Sequence, residues 1–195
     1  MSGDGGGDIV TYAYRPSLMG APMELRLTAD ALAWSSGNRA GRIALRDIRR
    51  VRMSYKPATM QPYRFATEIW ADRAPRVDIV STSWKSMVEQ ERLDAGYVAF
   101  ISELHRRIAR AGAPARFVQG KPALLFWPGL VVFAVMAVMM VALVPRALEA
   151  HALGGAAFIA ALLALFLWQA GNFFRRNWPG HYRPDALPAA LLPKG

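Results

Sequence analysis

The sequence predicts an α+β protein in which an antiparallel β domain, closed by one helix, precedes a two-helix transmembrane hairpin. Three observations lead to this prediction. Apolar and polar residues alternate with a period of two in the N-terminal half, as in strands with one buried face. Apolar residues then recur at helical spacing between Ala95 and Gly112. Finally, two long runs without a charged residue follow, 123–145 and 152–174.

The boundaries follow from these changes of pattern. We expect a flexible Gly-rich N-terminus, then the β domain, a linker, two membrane helices joined by a short turn, and a Pro-rich cytoplasmic tail. The predicted ranges are 1–19, 20–112, 113–122, 123–145, 146–151, 152–174 and 175–195.

Short strands are predicted wherever apolar residues alternate with polar ones between turn-forming segments. In MELRL the apolar positions are 23, 25 and 27, and Leu32 and Trp34 continue the alternation after TAD. We therefore expect Trp34 to be buried. Later strand candidates are RRVRMSYK, RFATEIW and RVDIVSTS.

One amphipathic helix is predicted from AGYVAFISELHRRIARAG, which Gly112 and Pro114 terminate. It needs an apolar partner, and the open end of the sheet offers one. We expect Phe100 to be buried there and His105 to be solvated on the flank of the helix. The apolar stripe comprises Tyr97, Phe100, Ile101, Leu104 and Ile108.

Several strands followed by one helix, over residues 20–112, resemble a pleckstrin-homology-like (PH-like) domain. The stretch GRIALRDIRRVRM has the strand, short turn and Ile-x-x-Val entry, at Ile48 and Val51, seen in bacterial membrane-anchored proteins with such domains. Those proteins often place the hairpin before the domain, whereas here it follows. The resemblance implies binding of a ligand or partner and not chemistry.

The hairpin is predicted to cross a bacterial inner membrane twice. A helix over the first run is about 34 Å long, and the hydrocarbon layer is about 30 Å thick. We expect Pro128 near the start of this helix, where proline is tolerated. Basic residues precede the first apolar run and follow the second, so both ends of the hairpin are expected in the cytoplasm. The predicted interface residues are Trp127, Arg175, Arg176 and Trp178, with Lys121 before the first span.

No motif for catalysis or metal binding is found. The chain has no cysteine, which excludes disulfides, thiolate nucleophiles and cysteine zinc sites. It has no HExxH and no phosphate-binding glycine loop. We therefore predict no enzyme activity, no catalytic residues, no metal and no cofactor.

A cluster of basic residues is the candidate binding site. The net charge is +10, and residues 1–121 hold 19 of the 24 Lys and Arg against 12 of the 14 Asp and Glu. Alternation predicts that Arg50, Arg52 and Lys56 point outward together, and Arg64 could join them from the next strand. This face is either merely solvated or binds anionic lipid headgroups or an acidic protein surface. Nucleic acid is not predicted, because no recognition motif accompanies the charge.

The predicted function is thus a membrane-tethered binding or scaffold module that engages lipid headgroups or a protein partner at the cytoplasmic face. The alternative is an accessory subunit of a larger inner-membrane complex, with the hairpin as its main contact. The tail NWPGHYRPDALPAALLPKG is too apolar for a typical disordered end. It either lies along the membrane interface or docks on its own PH-like domain or on another subunit.

Overall fold

A computed structural model describes residues 8–57, 63–86 and 89–193 of the chain. They form two compact units. The first comprises the described residues up to Gln119 together with those from Gly180 onward, and the second, the hairpin unit, is Gly120–Pro179. The α+β class, the antiparallel sheets and the apolar two-helix hairpin are confirmed.

The first sheet of the first unit is an antiparallel meander of four strands in chain order. Its residues alternate as predicted, so that Leu25 and Leu27 are buried while Glu24 and Arg26 face solvent. The strands are β1 (Val10–Tyr14), β2 (Met23–Leu27), β3 (Ala31–Ser36) and β4 (Arg39–Ala44).

The second sheet has the strand order β11-β10-β5-β6-β7. A short 3-10 helix at Leu45–Asp47 connects the two sheets, and the antiparallel pair β8 (Thr82–Trp84) and β9 (Gln90–Arg92) precedes the helix. The strands of the second sheet are β5 (Ile48–Tyr55), β6 (Phe65–Ala71), β7 (Val77–Val80), β10 (Arg116–Gln119) and β11 (Gly180–His181).

Helix α1 (Asp94–Arg110) buries its predicted apolar stripe, including Phe100. The hydroxyl groups of Tyr97 and Thr67 lie 2.7 Å apart and connect the helix to β6. The Arg107 guanidinium donates to the backbone carbonyl of Leu27, at 3.0 Å, and connects the helix to the first sheet. Both contacts are buried and must keep their hydrogen-bond partners, so they fix the position of the helix on the two sheets.

Trp34 differs from its prediction, because it is half-buried. Its cross-strand partner in β4 is Gly41, which has no side chain, and the indole lies directly over that glycine. A Cβ at position 41 would come within 2.6 Å of the indole nitrogen. The ring therefore packs sideways on its own sheet.

Two segments predicted to lack regular structure are strands. β1 lies inside the range predicted as a flexible N-terminus, and it pairs along its whole length with β2. Its Tyr12 hydroxyl donates to the carbonyl of Val80 in the second sheet, at 2.7 Å. β10 lies inside the predicted linker and pairs in parallel with β5. The N-terminal residues before Asp8 lie outside the described residues.

The hairpin unit consists of α2 (Ala123–Glu149) and α3 (Leu153–Arg176). Among the described residues these two helices are long and apolar enough to cross a membrane. Their apolar side chains face outward, with Leu124 85% and Val138 69% exposed, unlike those of a buried core helix. Both are therefore candidate membrane spans.

The bounds of the spans differ slightly from prediction. α2 continues past Pro145 to Glu149, which shortens the predicted turn 146–151. Pro128 lies inside the helix and not at its start. Proline removes one backbone N–H bond, and membrane helices tolerate this loss where neighbouring groups compensate for it.

Candidate functional site

The outer face of the second sheet carries the predicted basic residues, and strand register sets its layout. Residues paired across neighbouring strands share a face. One row across the sheet holds Arg116, Arg50 and Trp70. The next row, two residues along each strand, holds His181, Val118, Arg52, Glu68 and Asp78. We call this surface the basic face.

Arg50 is the most accessible predicted residue of the basic face. It is exposed, and its guanidinium lies 5.5 Å from the ring centre of Trp70. The Arg52 guanidinium lies 5.2 Å from the same ring. Two cations over one indole are held by cation–π attraction, which orients them without neutralising their charge.

Arg52 and Lys56 lie on the expected outer face of β5, but they do not project freely, because a carboxylate lies between them. Glu68 is almost fully buried, and its carboxylate is 2.7 Å from the Lys56 ammonium and 3.8 Å from the Arg52 guanidinium. The side chains of Arg52 and Lys56 are only 19% and 32% exposed. Arg76, at 3.7 Å, adds a third cation to the same carboxylate. A buried carboxylate needs such partners, so these cations are partly structural.

Arg64 takes the neighbouring position that the sequence suggested. Its carbonyl accepts a hydrogen bond from the backbone N–H of Lys56, at 2.9 Å. Arg64 is half-buried, and its Nε atom is buried without a hydrogen-bond partner among the described residues. It therefore borders the basic face and adds little accessible charge to it.

The C-terminal tail belongs to the first unit and completes the second sheet. β11 pairs antiparallel with β10, and the Tyr182 backbone N–H donates to the Phe117 carbonyl at 3.2 Å. Further along, Leu191 is buried. Between α1 and the tail lies a cavity of about 590 Å³. Of the two placements expected for the tail, the structure has it docked on its own domain.

A histidine and a tyrosine fix this docking. His105 is fully buried, contrary to prediction, because the tail and β10 cover the helix flank on which it lies. Its ring packs 5.4 Å from that of Phe117 and 5.6 Å from that of Tyr182. His105 Nδ1 lies 2.7 Å from the Ile101 carbonyl, which can only accept, so Nδ1 carries the proton. Nε2 then accepts from the Tyr182 hydroxyl, at 2.7 Å.

Burial changes the acid–base properties of both side chains. Desolvation lowers the pKa of His105 from its ordinary 6.5 to about 4, against the raising effect of the hydrogen bond with Ile101. Desolvation also raises the pKa of Tyr182 above its usual range. The pair is therefore neutral at physiological pH.

The predicted membrane-interface residues gather at one end of the hairpin unit. The rings of Trp127 and Trp178 are 5.6 Å apart and edge-to-face, and Phe126 contacts both. Both tryptophans are about half exposed. Arg175 and Arg176 end α3, and both guanidinium groups donate to the Asn172 side-chain oxygen, at 3.5 and 3.2 Å. Aromatic rings beside cations are typical of a membrane–water interface.

Sequence patterns alone do not reveal three members of the basic face: Trp70, Arg116 and His181. Trp70 is visible as the end of RFATEIW, but its cations come from another strand. Arg116 and His181 lie in segments predicted to be linker and tail. The parallel register of β10 on β5 places Arg116 beside Arg50, and the pairing of β11 with β10 brings His181 into the row of Arg52. Local alternation cannot specify such non-local pairings.

Comparison of the chain with protein-family models, with curated proteins and with solved structures finds no match. The candidate functions therefore rest on the residues and their geometry.

Proposed function

We propose that this chain is a non-enzymatic bacterial inner-membrane protein whose PH-like domain binds anionic lipid headgroups at the cytoplasmic face. The order of elements supports the PH-like assignment: a four-stranded antiparallel meander, a second sheet that is antiparallel except for the pairing of β10 with β5, and a closing helix. The apolar helices support a membrane anchor. The flanking Lys121, Arg175 and Arg176 favour cytoplasmic ends under the positive-inside rule.

The observation that carries the proposal is the exposed Arg50 above Trp70, beside two further arginines in register. Five cations on or beside the basic face, Arg50, Arg52, Lys56, Arg76 and Arg116, oppose two carboxylates, Glu68 and Asp78. The surface is therefore positive even after its internal pairs are counted. Each accessible cation near an anionic leaflet contributes about 1 kcal/mol.

A lipid surface is favoured over a protein partner because the proposed membrane anchor holds the chain at a bilayer. Only residues 120–122 separate β10 from α2, and only 177–179 separate α3 from β11. Short tethers keep the local concentration of headgroups high, so weak attraction suffices.

The test uses the full chain, purified in a neutral maltoside detergent and titrated with short-chain phosphatidylglycerol or phosphatidylcholine at low salt. We expect binding to the anionic lipid alone, weakened by salt because exposed charges are screened. Arg50→Gln should weaken it about five-fold.

Glu68→Gln should strengthen the same binding, because it removes the negative charge at the centre of the cations. Asp30→Asn is the matched control: it removes one carboxylate from the turn before β3, where that carboxylate pairs with Arg42. It should leave lipid affinity unchanged. Equal affinity for the two lipids would refute the proposal. A stoichiometric protein that co-purifies with the wild type and is lost in Arg50→Gln would instead identify a docking surface in a larger complex.

A further inference from the structure

The basic face is not built by the β domain alone, because chain segments on both sides of the hairpin contribute to it. Arg116 comes from β10, immediately before the hairpin unit, and His181 comes from β11, immediately after it. Both side chains are exposed. The paired strands thus extend the second sheet, and the face, beyond the edge of β5.

The register places these residues against the predicted ones. Arg116 pairs with Arg50, and Val118 separates His181 from Arg52 in the next row. Neighbouring strands lie about 4.8 Å apart, and residues two apart on a strand about 6.6 Å apart. Two arginines therefore stand side by side, with a third arginine and an imidazole in the adjacent row.

We infer that Arg116 and His181 complete the anion-binding site, so that one headgroup phosphate is bound jointly by Arg50, Arg116 and His181. The inference rests on the proposed function and specifies its ligand as the phosphate of an anionic phospholipid. Guanidinium groups suit phosphate because they donate two parallel hydrogen bonds. The imidazole adds an N–H donor. Arg52 lies in the adjacent row of the sheet, where its guanidinium group is held near Trp70 and Glu68. It adds electrostatic attraction for the phosphate but does not contact it directly.

Charge distribution supports the same site. Arg50 and Arg116 form no ion pair with any carboxylate among the described residues within 4.0 Å. Arg49, the neighbour of Arg50 in sequence, is by contrast paired with Asp72. Arg50 and Arg116 are paired in register on neighbouring strands, so their like charges repel each other, and a bound phosphate relieves that repulsion.

The experiment compares Arg116→Gln, His181→Gln and the double variant in the full chain, with short-chain phosphatidylglycerol as the probe in neutral detergent. We expect each single variant to bind more weakly, Arg116→Gln by about five-fold, and the double variant by at least about ten-fold. Arg110→Gln is the matched control, since it removes an exposed cation at the end of α1. It should stay within about two-fold of wild type.

Hydrogen exchange of the β10 and β11 amides is measured on every variant. Loss of binding is attributed to the substituted side chain only where exchange shows that the two strands remain paired. If the wild type binds and Arg50→Gln weakens binding, but the double variant with intact strands binds like wild type, the inference is overturned while the proposed function stands. If the wild type shows no preference for phosphatidylglycerol, the proposed function itself has failed. Weaker binding in both single variants and in the double variant, with intact strands and with Arg110→Gln unaffected, supports the inference.

Discussion

The Tyr182 hydroxyl lies 2.7 Å from Nε2 of His105, although 77 residues and both apolar helices separate the two in the chain. His105 is on the flank of α1, and Tyr182 follows β11. This hydrogen bond, with the ring of Phe117 packed against both side chains, joins the tail to the helix that closes the β domain.

Tyr182→Phe should loosen the tail. The substitution keeps the ring but leaves the buried Nε2 of His105 without its donor, which costs about 1–3 kcal/mol. We expect faster hydrogen exchange at the β10 and β11 amides and a lower unfolding temperature of the full chain in detergent. Tyr63→Phe is the control, because that ring is half exposed. Identical exchange in Tyr182→Phe and wild type would show that the hydroxyl contributes nothing.

Stability should decrease as the pH falls from about 6.5 to about 4. The folded-state pKa of His105 is lowered, so the unfolded chain takes up a proton in this range before the folded chain does. A shift from 6.5 to about 4 corresponds to about 3 kcal/mol across the whole window. Denaturant unfolding at pH 7 and pH 5 measures the effect. His105→Gln cannot titrate and should flatten the difference; the same slope in this variant would assign the effect to another group.

Two glycines with positive φ should respond differently to alanine. Gly112 (φ +62°) ends α1, and a Cβ added there would have nothing within 4 Å, so Gly112→Ala should cost only the strain of the left-handed backbone, about 1–2 kcal/mol. Gly120 (φ +71°) has the same conformation, but its Cβ would lie 2.3 Å from the Asn177 carbonyl oxygen. Gly120→Ala should cost about 1–3 kcal/mol more. Thermal unfolding of both variants in detergent tests this, and equal losses would contradict the close approach.

The proposed orientation can be tested without background labelling, because the chain has no cysteine. Ala150→Cys places a thiol in the turn between α2 and α3, and Ala109→Cys places one on the exposed side of α1. A membrane-impermeant maleimide added to intact bacterial cells should label position 150 and spare position 109. Labelling of position 109 alone would reverse the orientation.

Local patterns predicted much of this architecture. The alternation in MELRL and the stripe containing Phe100 identified strands and a helix correctly, because each records which face of one element is buried. The two apolar helices were predicted equally well from the sequence, because uncharged apolar runs of that length are typical of membrane-spanning helices. By contrast, β10 is short and its pairing is non-local, so the linker gave no sign of it.

The candidate site was harder to predict for the same reason. Alternation placed Arg52 and Lys56 on the outer face, but it could not show that Glu68 from the next strand occupies the space between them. His105 was expected in solvent because its own helix leaves it off the apolar stripe. Its cover is Tyr182, a residue that follows the hairpin in the sequence. Predictions of burial made from one element fail where a distant segment supplies the neighbour.

The pairing of β11 with β10 has a consequence for biosynthesis. During translation the β domain leaves the ribosome first, yet the last strand of its second sheet emerges only after both apolar helices have been made. Until then the edge of β10 and the flank of α1 around His105 remain uncovered. A chain interrupted within the hairpin would leave that edge unpaired permanently, so we expect such a truncated product to be exposed to proteolysis at β10.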